Sequence, residues 1–209
     1  QELIKDGFSI GKDRVLNNMH ILGLKTFYPH RNTTIPNKEH KVYPYLLKGL
    51  SIEFPNHVWA SDITWLRMRN GFCYLVAIID WFSRYILSYR ISNSLDTLFC
   101  MEALEEALIK YPKPTIFNTD QGSQFTSNDF TGMLNANKIK ISMDSVGRAL
   151  DNVIIERFFR TLKYEFVYLN EFDKIPEFKT GLSKYMKFYN NKRIHSSLEY
   201  NYPKEIYFN

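Results

Sequence analysis

An α/β domain with a mixed five-stranded sheet flanked by helices is the fold class that the sequence predicts, and three observations predict it. Strand-like and helix-like segments follow one another in the order β-β-β-α-β-α-β-α-α. At 209 residues, 44% hydrophobic and 23% charged, the chain has material for one catalytic-size core and a small appendage. No internal repeat or low-complexity tract interrupts the pattern.

The elements follow in order. Ser9 to Gly23 reads as a short helix, with Val15, Met19 and Leu22 on one apolar face and Gly23 as its stop. With Leu3, Ile4 and Phe8 it reads equally as half of a helix-turn-helix or as a helix packing on the next domain. Residues 1–27 are therefore expected to form a small N-terminal helical remnant. Residues 28–53, rich in Pro, Lys, Asn and Thr, form a linker whose apolar patch at Tyr43–Leu50 docks on the main domain. Residues 54–209 form the catalytic core. Val58 to Leu66 is the first strand, Arg69-Asn70-Gly71 a hairpin signal, and Phe72 to Ile79 a strand covered on both faces. Arg84 to Ile91 completes an antiparallel meander.

Ser94 to Tyr111 is expected as a helix with Leu98, Met101, Leu104 or Glu105, and Leu108 inward, stopped by Pro112 and Pro114. Thr115 to Thr119 is a fourth strand that delivers Asp120 at its C-terminal end. Gly122 supplies a positive-φ turn residue, and a helix follows through Phe130 and Leu134. Ile139 to Ser142 is a fifth strand. Residues 147–152 form a loop with Asp151 or Asn152 as N-cap to a helix from Val153 to about Tyr168. A last amphipathic helix turns Ile175, Phe178, Leu182, Tyr185, Met186 and Tyr189 inward and Lys179, Lys184 and Lys187 outward.

Composition narrows the function classes. Residues 1–50 carry eight Lys/Arg against four Asp/Glu, and residues 174–209 seven against three, whereas residues 51–173 carry twelve against fifteen. An acidic centre between basic ends suits a protein that gathers cations at its core and an anionic polymer around it; ordinary solubilising charge explains composition alone as well. Two cysteines, Cys73 and Cys100, without a C-x-x-C or a His pair, exclude a disulfide scaffold or a zinc cluster and fit a reducing cytoplasm. The absence of a bilayer-length apolar run or a signal peptide points to no membrane partner.

Three acids carry the chemistry. Asp62 shares a strand face with Ala60 and Thr64; Asp120 lies close to it if the fourth strand runs parallel beside the first; and Glu156 follows after thirty-five intervening residues. Paired carboxylates repel unless a cation lies between them. Oxygen donors without His or Cys favour two Mg²⁺ or Mn²⁺ ions, about 3.5–4 Å apart, for in-line displacement at phosphorus. Lys163, seven residues beyond Glu156, lies on the same helical stripe and is placed to hold DNA phosphate. Arg160 lies near that face, whereas Arg157 points elsewhere. Arg148, Lys192 and Arg193 complete the expected DNA-contacting cations. Each acid also has a plainer reading: Asp120 before Gly122 as turn chemistry, Glu156 with Arg160 as a helical ion pair. Asp80 and Asp144 are expected as strand-end or loop acids, and His195 as part of a surface loop.

Trp59-Ala-Ser-Asp62-Ile-Thr, Phe117-Asn-Thr-Asp120-Gln-Gly-Ser-Gln-Phe and Leu150-Asp-Asn-Val-Ile-Ile-Glu156-Arg-Phe-Phe-Arg-Thr-Leu-Lys163 resemble the integrase core of bacterial insertion-sequence transposases of the IS-three family, the second open reading frame product. The ending Phe188-Tyr-Asn-Asn-Lys-Arg-Ile-His-Ser-Ser-Leu fits the same family. The resemblance implies an RNase H-like fold with Asp62, Asp120 and Glu156 as metal-binding triad. It also implies cleavage at the element's ends and strand transfer by the freed 3′-hydroxyl. Terminal inverted repeats and target DNA are then the partners, with a homo-oligomer assembled on paired ends in the bacterial cytoplasm at the nucleoid. Residues 8–50 look like the tail of the family's helix-turn-helix region, shorter here than the pattern expects. An RNase H-like nuclease, or a truncated copy that only binds DNA, are the alternatives.

Overall fold

The protein is described here from a computed structural model, which describes residues 2–24, 41–69, 71–144 and 152–209. The chain divides into two compact units, residues 1–36 and 37–209. In the first, α1 (Glu2–Lys5) precedes α2 (Lys12–Ile21). Gly23, at φ 66°, ends α2, and the Leu24 N–H donates back to the Met19 carbonyl at 2.8 Å. None of the α2 side chains is buried, and Leu22, expected on the apolar face, is 70% exposed.

The second unit is a mixed five-stranded sheet in the order β3-β2-β1-β4-β5. Its strands are β1 (Val58–Met68), β2 (Gly71–Asp80), β3 (Ile86–Ser92), β4 (Ile116–Thr119) and β5 (Lys140–Met143). β1, β2 and β3 form the expected antiparallel meander. Met68 pairs with Gly71 across a two-residue turn, and Gly71 takes φ 126°, a conformation that L side chains resist. Asn70 of that hairpin signal lies outside the described residues. β4 runs parallel beside β1, with Ala60 opposite Asn118, and β5 parallel beside β4.

Helices cover both faces, so β2 is a run of apolar residues from Phe72 to Ile79. α3 (Leu98–Lys110), α4 (Asn128–Ala136) and α7 (Pro203–Phe208) share a cluster with Trp59, Val76, Ile78, Phe117 and Ile141. On the opposite face, α5 (Val153–Leu162), the π-helical turn Lys163–Val167 and α6 (Ile175–Asn191) pack against Ala60, Leu66, Leu75, Ala77 and Ile79. Alternation along β1 puts Ala60, Asp62 and Leu66 on one face, the face that α5 covers. Asn190 finishes the edge strand: its side-chain amide donates to the Ile86 carbonyl and accepts from the Ile86 N–H, both at 2.9 Å. Cys73 and Cys100 are free and buried. Leu47 packs with Val58 and Ile116, so the apolar patch after residue 41 docks on the sheet.

Three expectations are corrected. Phe99, Cys100, Ala103, Leu104 and Ala107 form the buried face of α3, and Met101 and Leu108 pack partly buried against the same cluster as expected, but Leu98 is 63% exposed. The small residues let the helix sit close to the sheet, where the Ser88 hydroxyl donates to the Ala103 carbonyl at 2.6 Å. Ile175 opens α6 exposed instead of inward. The helix after β5 does not run as α-helix to Tyr168: it changes to π geometry at Lys163. A 3₁₀ turn (Ser196–Leu198) and α7 were not anticipated.

Candidate active site

Two registers bring Asp62 and Asp120 together. β1 and β4 are in parallel register at Ala60–Asn118, and each aspartate lies two residues further along its strand direction. Below them runs a buried polar network. The Ser142 hydroxyl donates to the Asn118 side-chain oxygen at 2.8 Å, and the Asn118 amide donates to Asp144 at 2.8 Å. The Asn152 amide donates to the Ser61 carbonyl at 3.3 Å, tying the start of α5 to β1. Asn152 occupies the N-cap position, yet its side chain makes no capping hydrogen bond: it is spent on the sheet. Asp151, the other cap candidate, lies outside the described residues.

The electrostatics report crowding of negative charge. The Asp62 carboxyl is pushed up to about 7, first by burial and then by Asp120, Glu156 and Asp144, against the Ile63 N–H that donates to it at 2.7 Å. Asp120 is raised by burial, opposed by the Gly122 N–H at 2.9 Å. Glu156 is exposed on α5, near enough to act on Asp62. Among the described residues no three His, Cys, Asp or Glu side chains are gathered tightly enough to hold a metal ion. The two aspartates are neighbours that turn to main-chain N–H groups, and Glu156 flanks them without closing a triad. The donor set nonetheless fits a hard divalent cation: all oxygens, mutually repelling, with Asp62 holding its proton far above the usual carboxylate range.

A stability consequence follows. Asp62 binds its proton more tightly folded than at its ordinary 3.8. Its contribution is thus fully present below about pH 4 and lost as pH rises through about 7. Asp62→Asn is expected to make the chelator-treated protein more stable at about pH 8, by on the order of 1–2 kcal/mol, with under half of that gain at pH 5. Urea melts at both pH values check it; equal gains at both would contradict it.

Gly122 is required for space and not for a positive φ. A Cβ there would lie 2.9 Å from one Asp120 carboxylate oxygen and 3.4 Å from the other. Gly122→Ala is expected to lower DNA cleavage by about 10²-fold through displacement of that carboxylate, with the melting temperature little changed. Cleavage at the wild-type rate would show that the Asp120 position is uncritical.

The expected cations divide. Lys163, half-buried, has its Nζ 5.4 Å from the centroid of the Trp65 ring. Burial lowers its ammonium from the ordinary range and Asp62 works against that. Trp65 itself is 60% exposed. Arg160 is exposed and lies over the Tyr164 ring at 5.8 Å. Lys192 is exposed at the end of α6. Arg193 is engaged by Glu165, with Nη2 at 2.7 Å and Nε at 2.9 Å from its carboxylate. Arg148 lies outside the described residues. Asp80 is structural, accepting from the Ser83 N–H and hydroxyl and the Asn56 N–H. Sequence reasoning missed the tethering roles of Asn118 and Asn152; a lone Asn inside an apolar strand was the available signal. His195 lies in the loop after α6, as expected, half-buried with its ring edge-on to Tyr189.

Two family models, both described as integrase core domain, match residues 53–149 and 137–203. The transposase for insertion sequence element IS904 of Lactococcus lactis is 32% identical over 96% of this chain and 81% of its own length. Transposase InsF for insertion sequence IS3A of Escherichia coli is 34% identical over 68% of this chain and 50% of its own. Among solved structures, the HTLV-2 integrase catalytic core domain in complex with magnesium superimposes with a TM-score of 0.60 at 22% identity, covering 74% of this chain and 97% of that one. The RNase H-like arrangement expected from the motifs is therefore the observed fold.

Proposed function

This chain belongs to the insertion-sequence transposases with an integrase core domain, and from that premise we propose that it catalyses metal-dependent DNA cleavage and strand transfer through Asp62, Asp120 and Glu156. The observation that carries the reading is the pair Asp62 and Asp120, each two residues beyond a shared parallel register of β1 and β4, with the first carboxyl driven to about 7 by burial and by its acidic neighbours, Glu156 among them. Asp62 and Asp120 would hold one or two Mg²⁺ or Mn²⁺ ions, and Glu156 would complete the set by a small swing of its exposed side chain. The chemistry supplied there by bound divalent cations is activation of the attacking oxygen and neutralisation of charge on the leaving one. The HTLV-2 core binds magnesium in its own complex, which supports the choice of ion.

The chain's other residues position the strand. Lys163, fixed beside Trp65 and Asp62, would pair with a phosphate next to the scissile bond. Arg160, on the same helix, would extend that contact, with Arg148, Lys192 and Arg193 further out. The preferred substrates are terminal inverted repeats and target DNA, with more than one copy of the chain assembled on them. The HTLV-2 core was solved in a dimeric form, which supports assembly. No helix among the described residues is long and apolar enough to cross a membrane, and a cytoplasmic site of action fits access to DNA in a bacterium.

The test is an oligonucleotide assay in which labelled element ends are supplied with Mg²⁺ or Mn²⁺. The reading expects nicking followed by joining to a second duplex. Nicking without joining would favour a water-using nuclease, and salt-sensitive binding without either would favour a binding-only copy. Lys163→Ala is expected to weaken DNA binding roughly tenfold, with metal affinity unchanged. Unaltered DNA affinity in that variant would remove Lys163 from the contact.

A further inference from the structure

Away from the three acids, a cavity of about 350 Å³ opens between α5, the end of α6 and residues 193–200. Its lining includes Arg84, Arg157, Arg193, His195, Ser196 and Ser197, and no Asp or Glu among the described residues. Arg84 and Arg157, neither with an ion-pair partner among the described residues, face this space together with Arg193, and like charges so placed repel each other unless an anion lies among them.

The individual groups bear this out. Arg84 sits in the turn after β2 at φ 64° and donates from Nη1 to the Trp81 carbonyl; no carboxylate lies within ion-pair distance among the described residues. Burial lowers its guanidinium, and Arg157 lowers it further, against Tyr189 and Asp80. Arg157 is exposed and makes no ion pair among the described residues. Glu165 occupies the Nε and Nη2 side of Arg193, while its Nη1 donates to the Ile194 carbonyl at 3.3 Å and lies beside the His195 ring at 3.4–3.5 Å. His195 is held neutral, its imidazole pushed down to about 4 by burial first and then by Arg193 and Arg84, with only Glu165 opposing. It packs edge-on against Tyr189 at 5.0 Å.

We propose that this cavity is a phosphate-binding site that takes a backbone phosphate of a DNA strand running along α5, on the Arg157 side of the helix. The inference rests on the reading of the chain as a DNA-acting enzyme and adds to it a contact separate from Lys163. Planar guanidinium groups with hydroxyls nearby match the paired non-bridging oxygens of a phosphodiester. The same chemistry would accept a free phosphate or nucleotide, so the source has to be tested directly.

The test uses the full chain in two arms. In the first, a mixed-sequence duplex is titrated by fluorescence anisotropy over a range of salt. Arg84→Gln and Arg157→Gln are each expected to weaken binding several-fold and reduce the slope of log affinity against log salt by about one. In the second, the His195 ring resonance, assigned by its loss in His195→Gln, is followed by NMR against pH with and without the duplex and with inorganic phosphate. An anion facing Arg84, Arg157, Arg193, Tyr189 and Glu165 would offset the positive field, and the His195 titration is expected to move upward with the duplex. Movement with inorganic phosphate but not with the duplex would overturn the DNA assignment in favour of a free anion. Unchanged salt slopes with tight wild-type DNA binding would overturn the inference while leaving the proposed function intact. No DNA binding by the wild type would instead strike the proposed function itself. Arg157, exposed and outside the core, guards against a result caused by misfolding.

Discussion

Glu156→Gln is expected to lower DNA cleavage and strand transfer by roughly 10³-fold or more while leaving DNA affinity within about twofold. Removal of one carboxylate forfeits several kcal/mol of charge stabilisation, and each 1.36 kcal/mol is a factor of ten in rate. The substitution keeps the size and hydrogen bonding of an exposed side chain, so the fold has no reason to respond. Gel assays under single-turnover conditions with Mg²⁺ measure the rate, and anisotropy measures affinity. Retention of more than a tenth of wild-type cleavage would remove Glu156 from the metal set. Asp62→Asn and Asp120→Asn are expected to behave alike.

Phe158→Ala is expected to cost about 3–5 kcal/mol of stability, as for other buried aromatic truncations, and to lower the melting temperature by roughly 10 °C. Phe158 is 1% exposed, and its ring meets Tyr189 edge-on at 4.9 Å and Phe159 at 5.5 Å. It seats α5 on the sheet alongside Ile155 and Leu162, so the position of Glu156 depends on it. Cleavage should fall further than the unfolded fraction accounts for. A loss below about 1 kcal/mol by chemical denaturation would mean that α5 is held from elsewhere.

What the sequence disclosed depended on how local the cause was. The meander was legible because Arg69-Asn70-Gly71 and the alternation of β1 act within a few residues. The short apolar segment before Asp120 marks a strand, but its parallel place beside β1 is set by residues distant along the chain and stood in the sequence only as a condition. On α3 the spacing of large side chains picks out Met101, Leu104 and Leu108, which do pack inward, but not Cys100, Ala103 and Ala107, whose small size lets the helix sit close to the sheet. Gly122 was credited with a backbone role, whereas its constraint is the Asp120 carboxylate, two residues away in sequence but fixed by folding. Asn152 had the sequence of a cap; its partners on β1 and β4 are distant along the chain and invisible to local rules. The three acids were named from spacing, but how far Glu156 lies from the two aspartates depends on how α5 docks on the sheet, which spacing cannot specify. The cationic cavity was the least legible, since Arg84, Arg157 and His195 come from three separate elements.

Anomalous diffraction from crystals soaked in Mn²⁺ at about pH 8 addresses the central claim most directly. The account predicts a peak within coordinating distance of carboxylate oxygens of both Asp62 and Asp120, with the Glu156 side chain turned toward it. A soaked crystal with no peak between the two aspartates, or with the metal bound and Glu156 unable to approach it, would contradict the account.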